Sequence, residues 1–241
     1  NGVAYKNSGK KIENLLELTT DFAKTFGSHN LQAVAGYSYQ DQTNYNYDAF
    51  TFGFDTDEYG YNNMGAGAAL AEGQARISSN KNRNKLIAFF GRGMYNYADK
   101  YLLTVAARYE GSTRFGANNK WGLFPAISAG WRLDKEAFLE DADWISDMKA
   151  RVGYGITGNQ DIGNYRSLQL LTVGGKFLSN GRWINTYRPA SNPNPNLRWE
   201  RKAELNVGLD VGLWGNRLTA NLDYYKRTTT DLLWTYNVPV P

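Results

Sequence analysis

"AELNVGLDVGL", residues 203–213, places Ala203, Leu205, Val207, Leu209, Val211 and Leu213 on alternate positions, with Glu204, Asn206, Gly208, Asp210 and Gly212 between them. Successive side chains of a strand point to opposite faces. The stretch therefore predicts a strand with one apolar face and one that is polar or bare. A soluble sheet would set a core against the first face and bulk water against the second. One strand does not separate that arrangement from a membrane wall; repetition along the chain does.

The alternation recurs. Leu16, Leu18 and Phe22 oppose Glu17, Thr19 and Asp21, and Leu31, Ala33, Ala35, Tyr37 and Tyr39 oppose Gln32, Gly36, Ser38 and Gln40. A rougher segment at 85–98 is followed by Leu103, Val105, Ala107 and Tyr109 against Thr104, Arg108 and Glu110. Trp121, Leu123, Ile127, Ala129 and Trp131 face away from Gly122, Ser128, Gly130 and Arg132. Val152, Tyr154 and Ile156 oppose Arg151, Gly153 and Gly155, and Leu218, Ala220, Leu222 and Tyr224 oppose Thr219, Asn221, Asp223 and Tyr225. About eight strands of roughly ten residues result, the segment length of membrane barrels.

The connections alternate as well. GSHN (27–30), ADK (98–100) and GN (215–216) read as tight turns, whereas 41–82, 111–120 and 159–196 read as loops rich in Gly, Asn, Tyr and Pro. Short turns at one end and long loops at the other is the outer-membrane pattern. The exception is 134–149, at the short-turn end, which reads as a helical turn with Phe138, Leu139 and Trp144 apolar. Aromatics gather near strand ends: Trp131, Tyr101 and Trp214 by the turns, Tyr109, Trp121 and Trp199 by the loops. Rings with one apolar side and one wet edge suit two membrane interfaces. Scattered aromatics of a β-sandwich are the alternative.

Composition bounds the rest. The 241 residues carry a net charge of +4, too small and too dispersed for nucleic acid, and a length that one large β domain can fill. There is no cysteine, hence no disulfide or thiolate chemistry. The mean hydropathy of −0.56 and the lack of a long apolar run exclude a spanning helix but not a barrel. NGVAYKNSGKK at the start has no apolar signal-peptide region.

Three chemical motifs fail on their context. Gly153, Gly155 and Gly158 have dinucleotide spacing but run into NQDIGNY, with no helix to meet a pyrophosphate. Ser128 in AISAG resembles a nucleophile elbow, yet His29 is the only histidine and precedes it. DTDEYG (55–60) begins like a calcium loop but has Tyr59 and Ala66 where ligands belong. The expectation is therefore no enzyme, no metal and no cofactor.

Residues 99–133, DKYLLTVAARYEGSTRFGANNKWGLFPAISAGWRL, carry a specific resemblance. Asp99, Lys100, Tyr101, Gly111, Ser112, Arg114, Phe115, Gly116, Trp121, Gly122, Phe124, Pro125, Ser128, Gly130, Trp131 and Arg132 match a recurrent stretch of one family. It resembles the TonB-linked outer-membrane transporters of the SusC/RagA family, and 145–165 and 194–233 are similar to two further family stretches. The resemblance covers most of 83–241; residues 1–82 are compatible in pattern only. It implies an all-β, antiparallel transmembrane barrel of about 22 strands with a plugged lumen, in the bacterial outer membrane. It also implies TonB-driven uptake of oligosaccharides or peptides with a SusD-like lipoprotein. On this reading the chain is part of one receptor β-barrel domain. No plug, no TonB-contacting segment and no final aromatic strand is legible, and the sequence stops at VPVP.

The site expectations follow. Leu205, Val207, Leu209 and Val211 face lipid; Glu204, Asp210, Asp223, Arg108, Arg132 and Arg151 face the lumen. Tyr59, Tyr61, Trp183 and Tyr187 are the loop candidates for cargo binding. Competing functions are a passive or structural outer-membrane barrel, such as a porin or adhesin, and a soluble β-rich glycan-binding module.

Overall fold

A computed structural model describes residues 2–236; the VPVP end lies outside them. The strands are β1 (Gly2–Phe26), β2 (His29–Phe54), β3 (Arg76–Tyr97), β4 (Tyr101–Ser112), β5 (Trp121–Arg132), β6 (Ile145–Asn159), β7 (Leu171–Ser179), β8 (Arg182–Pro189), β9 (Glu200–Leu213) and β10 (Leu218–Thr230). Among the described residues eight of them form one sheet in the order β1-β2-β3-β4-β5-β6-β9-β10, while β7 and β8 pair only with each other. β3 to β6, β9 and β10 pair antiparallel with their sheet neighbours. The sheet order has two ends, β1 and β10, so it is an open wall and not a closed barrel.

The expected strand count holds and the expected lengths do not. β1, β2 and β3 run for 25, 26 and 22 residues, about twice the predicted span. The loop expected at 41–82 is therefore strand up to Phe54 and again from Arg76, leaving 55–75 as the connection. The loop expected at 159–196 contains the β7–β8 hairpin. The expected helical turn at 134–149 is a pair of 3-10 turns, Leu133–Lys135 and Ala137–Leu139, and β6 has already begun at Ile145.

The tight turns follow the backbone preferences of their residues. Gly27 turns β1 into β2 at φ +58, and Ala98 and Asp99 turn β3 into β4 at φ 52 and 51. Two positive φ values match the twist of the flanking strands, the geometry of the primed hairpin turns. Asn96 steadies the second turn by donating from Nδ2 to Asp99 Oδ1 at 2.6 Å.

The chain divides into two compact units, one of Asn1–Leu15 and Gln40–Lys85, the other of Leu16–Tyr39 and Leu86–Pro241. The first is polar and held by side-chain pairs. Asp48 accepts from Tyr5 at 2.7 Å and from Ser78 at 3.4 Å, Lys11 pairs with Glu13 at 2.7 Å, and Arg83 pairs with Asp41. Its buried residues are Ala4, Asp41, Ala49, Thr51, Gly67, Ala69 and Asn84, with Ala69 on the short α1 (Ala68–Ala71). Gly67 allows that close fit, since a Cβ there would meet the Phe52 carbonyl at 2.9 Å.

The second unit holds β4 to β10 and the 16–26, 29–39 and 86–97 parts of β1, β2 and β3. Its apolar core is a cluster of Phe115, Phe124 and Trp199 at the loop end, with Leu86, Ile162, Leu197 and Leu233 packed on it. Phe115 and Trp199 lie 4.6 Å apart between ring centroids, and Phe124 meets Trp199 edge-on at 5.3 Å. Trp199, expected as an interface aromatic, is instead 4% exposed inside this cluster.

Candidate functional site

The registers fix two faces. Leu205, Val207, Leu209 and Val211 of β9 stand opposite Tyr154, Val152, Ala150 and Met148 of β6. On the other side they meet Lys226, Tyr224, Leu222 and Ala220 of β10. Leu205 and Val207 are 37% and 45% exposed, because among the described residues no second layer covers this side of the wall. The same face continues through Ile127 and Ala129 to Val105 and Leu103.

Two rows of aromatic rings edge this apolar face. By the turns, His29 stacks on Phe26 at 5.1 Å and meets Tyr97 at 4.8 Å; Tyr97 stacks on Tyr101 at 6.3 Å, and Tyr101 on Trp131 at 6.4 Å. By the loops, Tyr37 meets Phe89 at 5.3 Å, and Trp121 stacks on Phe89 at 6.5 Å and Tyr109 at 4.8 Å. Trp121 and Trp131 bound β5, and the span between them is about 33 Å along the strand. The turn-side row has a polar anchor. Glu136 accepts from the Tyr101 hydroxyl at 2.7 Å and the Trp131 indole N–H at 2.8 Å, and pairs with Lys100 at 3.1 Å. These hydrogen bonds, led by that of Tyr101, hold the Glu136 carboxyl below the usual carboxylate range.

The six polar-face candidates all lie on the opposite face, and each is paired. Arg151 donates twice to Asp210, at 2.7 and 2.7 Å, and reaches Asp223 at 3.2 Å. Gly208 leaves the room for this: a Cβ there would meet Asp223 Oδ1 at 2.5 Å and Arg151 Nη2 at 2.7 Å. Arg132 pairs with Asp134 at 2.8 Å and Asp147 at 2.7 Å, Arg108 with Glu110 at 2.7 Å, and Glu204 with Arg227 at 2.6 Å. Each pair is worth little alone in water, but the three-residue unit ties β6, β9 and β10 together. Between the charges this face carries small residues at Thr104, Ala126, Ser128, Gly130 and Gly153. A groove of about 530 Å³ runs there, with Asn30, Gln32, Thr104, Ser128, Lys149 and Arg151 in its lining.

The matched family stretch serves a purpose that sequence reasoning missed. Arg114 donates to Asn164 Oδ1 at 3.1 Å and to the Gln160 carbonyl at 3.0 Å, and Ser112 donates to Gln160 Oε1 at 2.8 Å. Gly116 N–H donates to the Leu197 carbonyl at 2.9 Å and Asn118 N–H to that of Pro195 at 3.1 Å. Phe115 is 1% exposed, and a Cβ on Gly116 would collide with the Pro195 carbonyl. So Arg114, Phe115 and Gly116 form a clasp joining the loop after β4 to the segments before and after the β7–β8 hairpin.

The four cargo candidates fall in two places. Tyr59 and Tyr61 lie in the 55–75 connection of the first unit, exposed. Trp183 and Tyr187 belong to the second unit and sit on β8, in a strand and not in a loop. The signal was present: Asn180 and Gly181, at φ 50 and 75, are the Asn-Gly pair of a primed hairpin turn. Among the described residues no group of three or more metal-ligating side chains converges.

Comparison with known proteins adds the relatives. A family described as "TonB dependent receptor-like, beta-barrel" matches residues 2–241. The chain is 40% identical over 161 residues to the TonB-dependent receptor SusC of Bacteroides thetaiotaomicron, covering 65% of this chain and 16% of that protein. It is 38% identical over 240 residues to TonB-dependent receptor P3 of Formosa agariphila, covering 98% of this chain and 23% of the relative. The solved structure of the RagAB peptide transporter superposes with a TM-score of 0.85 at 25% identity, over 98% of this chain and 25% of the other. The RagAB peptide importer in its "open-open" state gives a TM-score of 0.75 at 26% identity, over 98% of this chain and 25% of the other. The chain thus spans about a quarter or less of the proteins it matches, and it belongs to the TonB-dependent receptor β-barrel family.

Proposed function

We propose that this chain is a section of the wall of a TonB-dependent importer in the bacterial outer membrane, and that both of its units are parts of one receptor β-barrel domain. The observation that carries the reading is the pair of aromatic rows on one apolar face. The 33 Å or so along β5 becomes about 25 Å of height at the usual strand tilt, the height of the lipid-contacting band of such barrels. In this reading Leu205, Val207, Leu209 and Val211 face lipid. Glu204, Asp210, Asp223, Arg108, Arg132 and Arg151 face the lumen, where water or a polar plug meets their paired charges.

The long connections then face outward, with cargo reaching Tyr59, Tyr61, Trp183 and Tyr187 first. Cargo is an oligosaccharide or a peptide; likeness to SusC and to the RagAB peptide transporter supports import of this kind. A SusD-like lipoprotein and the TonB complex are the partners. The family is one of receptors and not of enzymes. Uptake decides the proposal. Cells carrying the whole receptor should accumulate labelled oligosaccharide or peptide, and deleting TonB should abolish that. Uptake that survives without TonB would favour a passive barrel.

A further inference from the structure

The β7–β8 hairpin stands out by its charge. Residues 162–199 contain no Asp or Glu and five cations: Arg166, Lys176, Arg182, Arg188 and Arg198. Lys176, Arg182 and Arg188 lie on the hairpin itself, and among the described residues none of them is in an ion pair. The six candidates of the polar face are all paired, as are Lys11, Arg83 and Lys100. The hairpin's aromatics are equally unpartnered: Trp183 and Tyr187 are 67% and 68% exposed, and Phe177 is 59% exposed.

The register sorts these groups. Leu178 faces Trp183, Lys176 faces Asn185 and Val173 faces Tyr187, so Trp183, Tyr187 and Lys176 share one face. Arg182 and Arg188 share the other with Phe177 and Ile184. Each face therefore carries aromatic rings and positive charge. An isolated two-stranded hairpin is marginal in water, and an exposed apolar surface of this kind marks a binding site. The base is firmly rooted. Ser191 Oγ accepts from Leu170 N–H and donates to the Leu168 carbonyl, both at 3.0 Å, and Ser167 donates to the Phe115 carbonyl of the clasp at 3.4 Å.

We propose that this hairpin is a capture arm for an anionic oligosaccharide, one bearing carboxylate or sulfate groups. The proposal rests on the importer reading and narrows its cargo. Sugar rings present flat C–H faces that pack on Trp183, Tyr187 and Phe177. Arginine offers planar pairs of donors that match carboxylate and sulfate oxygens. Trp183 and Tyr187 are about 13 Å apart along β8, which suits a chain of rings better than a single one. Cations on both faces favour an extended polyanion that can wrap the arm. A flat acidic protein surface covers only one face and leaves the other cations unused.

The test uses the whole receptor, purified in detergent without TonB, and isothermal titration with tetragalacturonate and with a sulfated carrageenan tetrasaccharide. At least one should bind, more weakly at 300 mM than at 50 mM salt, and neutral maltotetraose should not. Replacing Lys176, Arg182 and Arg188 together by Gln should weaken binding by at least about tenfold. Trp183→Ala should also weaken it, with heat-modifiability of the barrel unchanged in both variants. Maltotetraose binding as well as the anionic sugars would overturn the proposal, as would binding of neither anion or an unaffected triple variant. Tighter binding of hexaglutamate or of a single-stranded oligonucleotide would do the same. Binding without TonB-dependent uptake in cells would count against the importer and leave the arm standing.

Discussion

At the scale of single residues, position on the wall decides what a substitution does. Leu209 and Asp210 are neighbours on opposite faces of β9. A lipid-facing Arg near mid-membrane costs about 2–4 kcal/mol, whereas the lumen face tolerates charge. Leu209→Arg should therefore impair barrel assembly, read as heat-modifiability on gels, more than Asp210→Arg, although the latter sets a like charge against Arg151. Equal tolerance would void the face assignment. The glycines divide in the same way. A Cβ at Gly116 meets fixed backbone, the carbonyls of Pro195 and, at 2.8 Å, of Asn194. A Cβ at Gly208 meets only the ends of the Arg151 and Asp223 side chains. Gly116→Ala should cost about 1–3 kcal/mol of overpacking and lower the unfolding temperature, with a smaller shift for Gly208→Ala. Equal shifts would mean that the clasp is not rigid.

At the scale of elements, the turn-side aromatic row has a pH dependence. The Glu136 carboxyl is depressed chiefly by the hydrogen bond from Tyr101, so its charged form is favoured in the fold. A depressed carboxylate contributes stability above its unfolded value, near pH 4.3, and that stability is lost as pH falls through the lower folded value. Thermal midpoints followed from pH 7 down to pH 3 should fall in that acid window, and Glu136→Gln should flatten that part of the curve. An identical acid slope in the variant would remove Glu136 from the account. The turns and loops supply a second check. Cysteine placed at Asn62, in the 55–75 connection, or at Asn180, at the tip of the hairpin, should react with an impermeant thiol reagent on intact cells. Cysteine at Asn216, in the turn between β9 and β10, should not. Labelling at Asn216 alone would invert the topology.

At the scale of the whole molecule, the wall is open. β1 and β10 end the sheet order, and each offers a row of unpaired backbone groups, the condition that drives strand addition and aggregation. Residues 1–241 expressed alone should therefore not give a monodisperse, heat-modifiable species in detergent, and supplying the rest of the receptor should rescue them. A stable eight-stranded monomer would show that the wall can close on itself.

The alternation at 203–213 and its repeats were enough to determine the all-β class, the two faces of β9 and the positions of the central strands. Period two is a local property wherever one face is apolar and the other wet. The signal fades where both faces are polar. That is why residues 2–15, 41–48 and 76–82, held by pairs such as Tyr5 with Asp48, did not read as strand. The charges on the polar face were legible one by one, but their partners were not. Arg151 and Asp210 are 59 positions apart, and only the β6–β9 register brings them to 2.7 Å. The clasp is hidden for the same reason: Arg114 meets Asn164 across 50 positions, so its motif can be recognised in the sequence without disclosing what it holds. Side-chain direction is set within a strand, whereas partnership is set by which strands the fold makes neighbours.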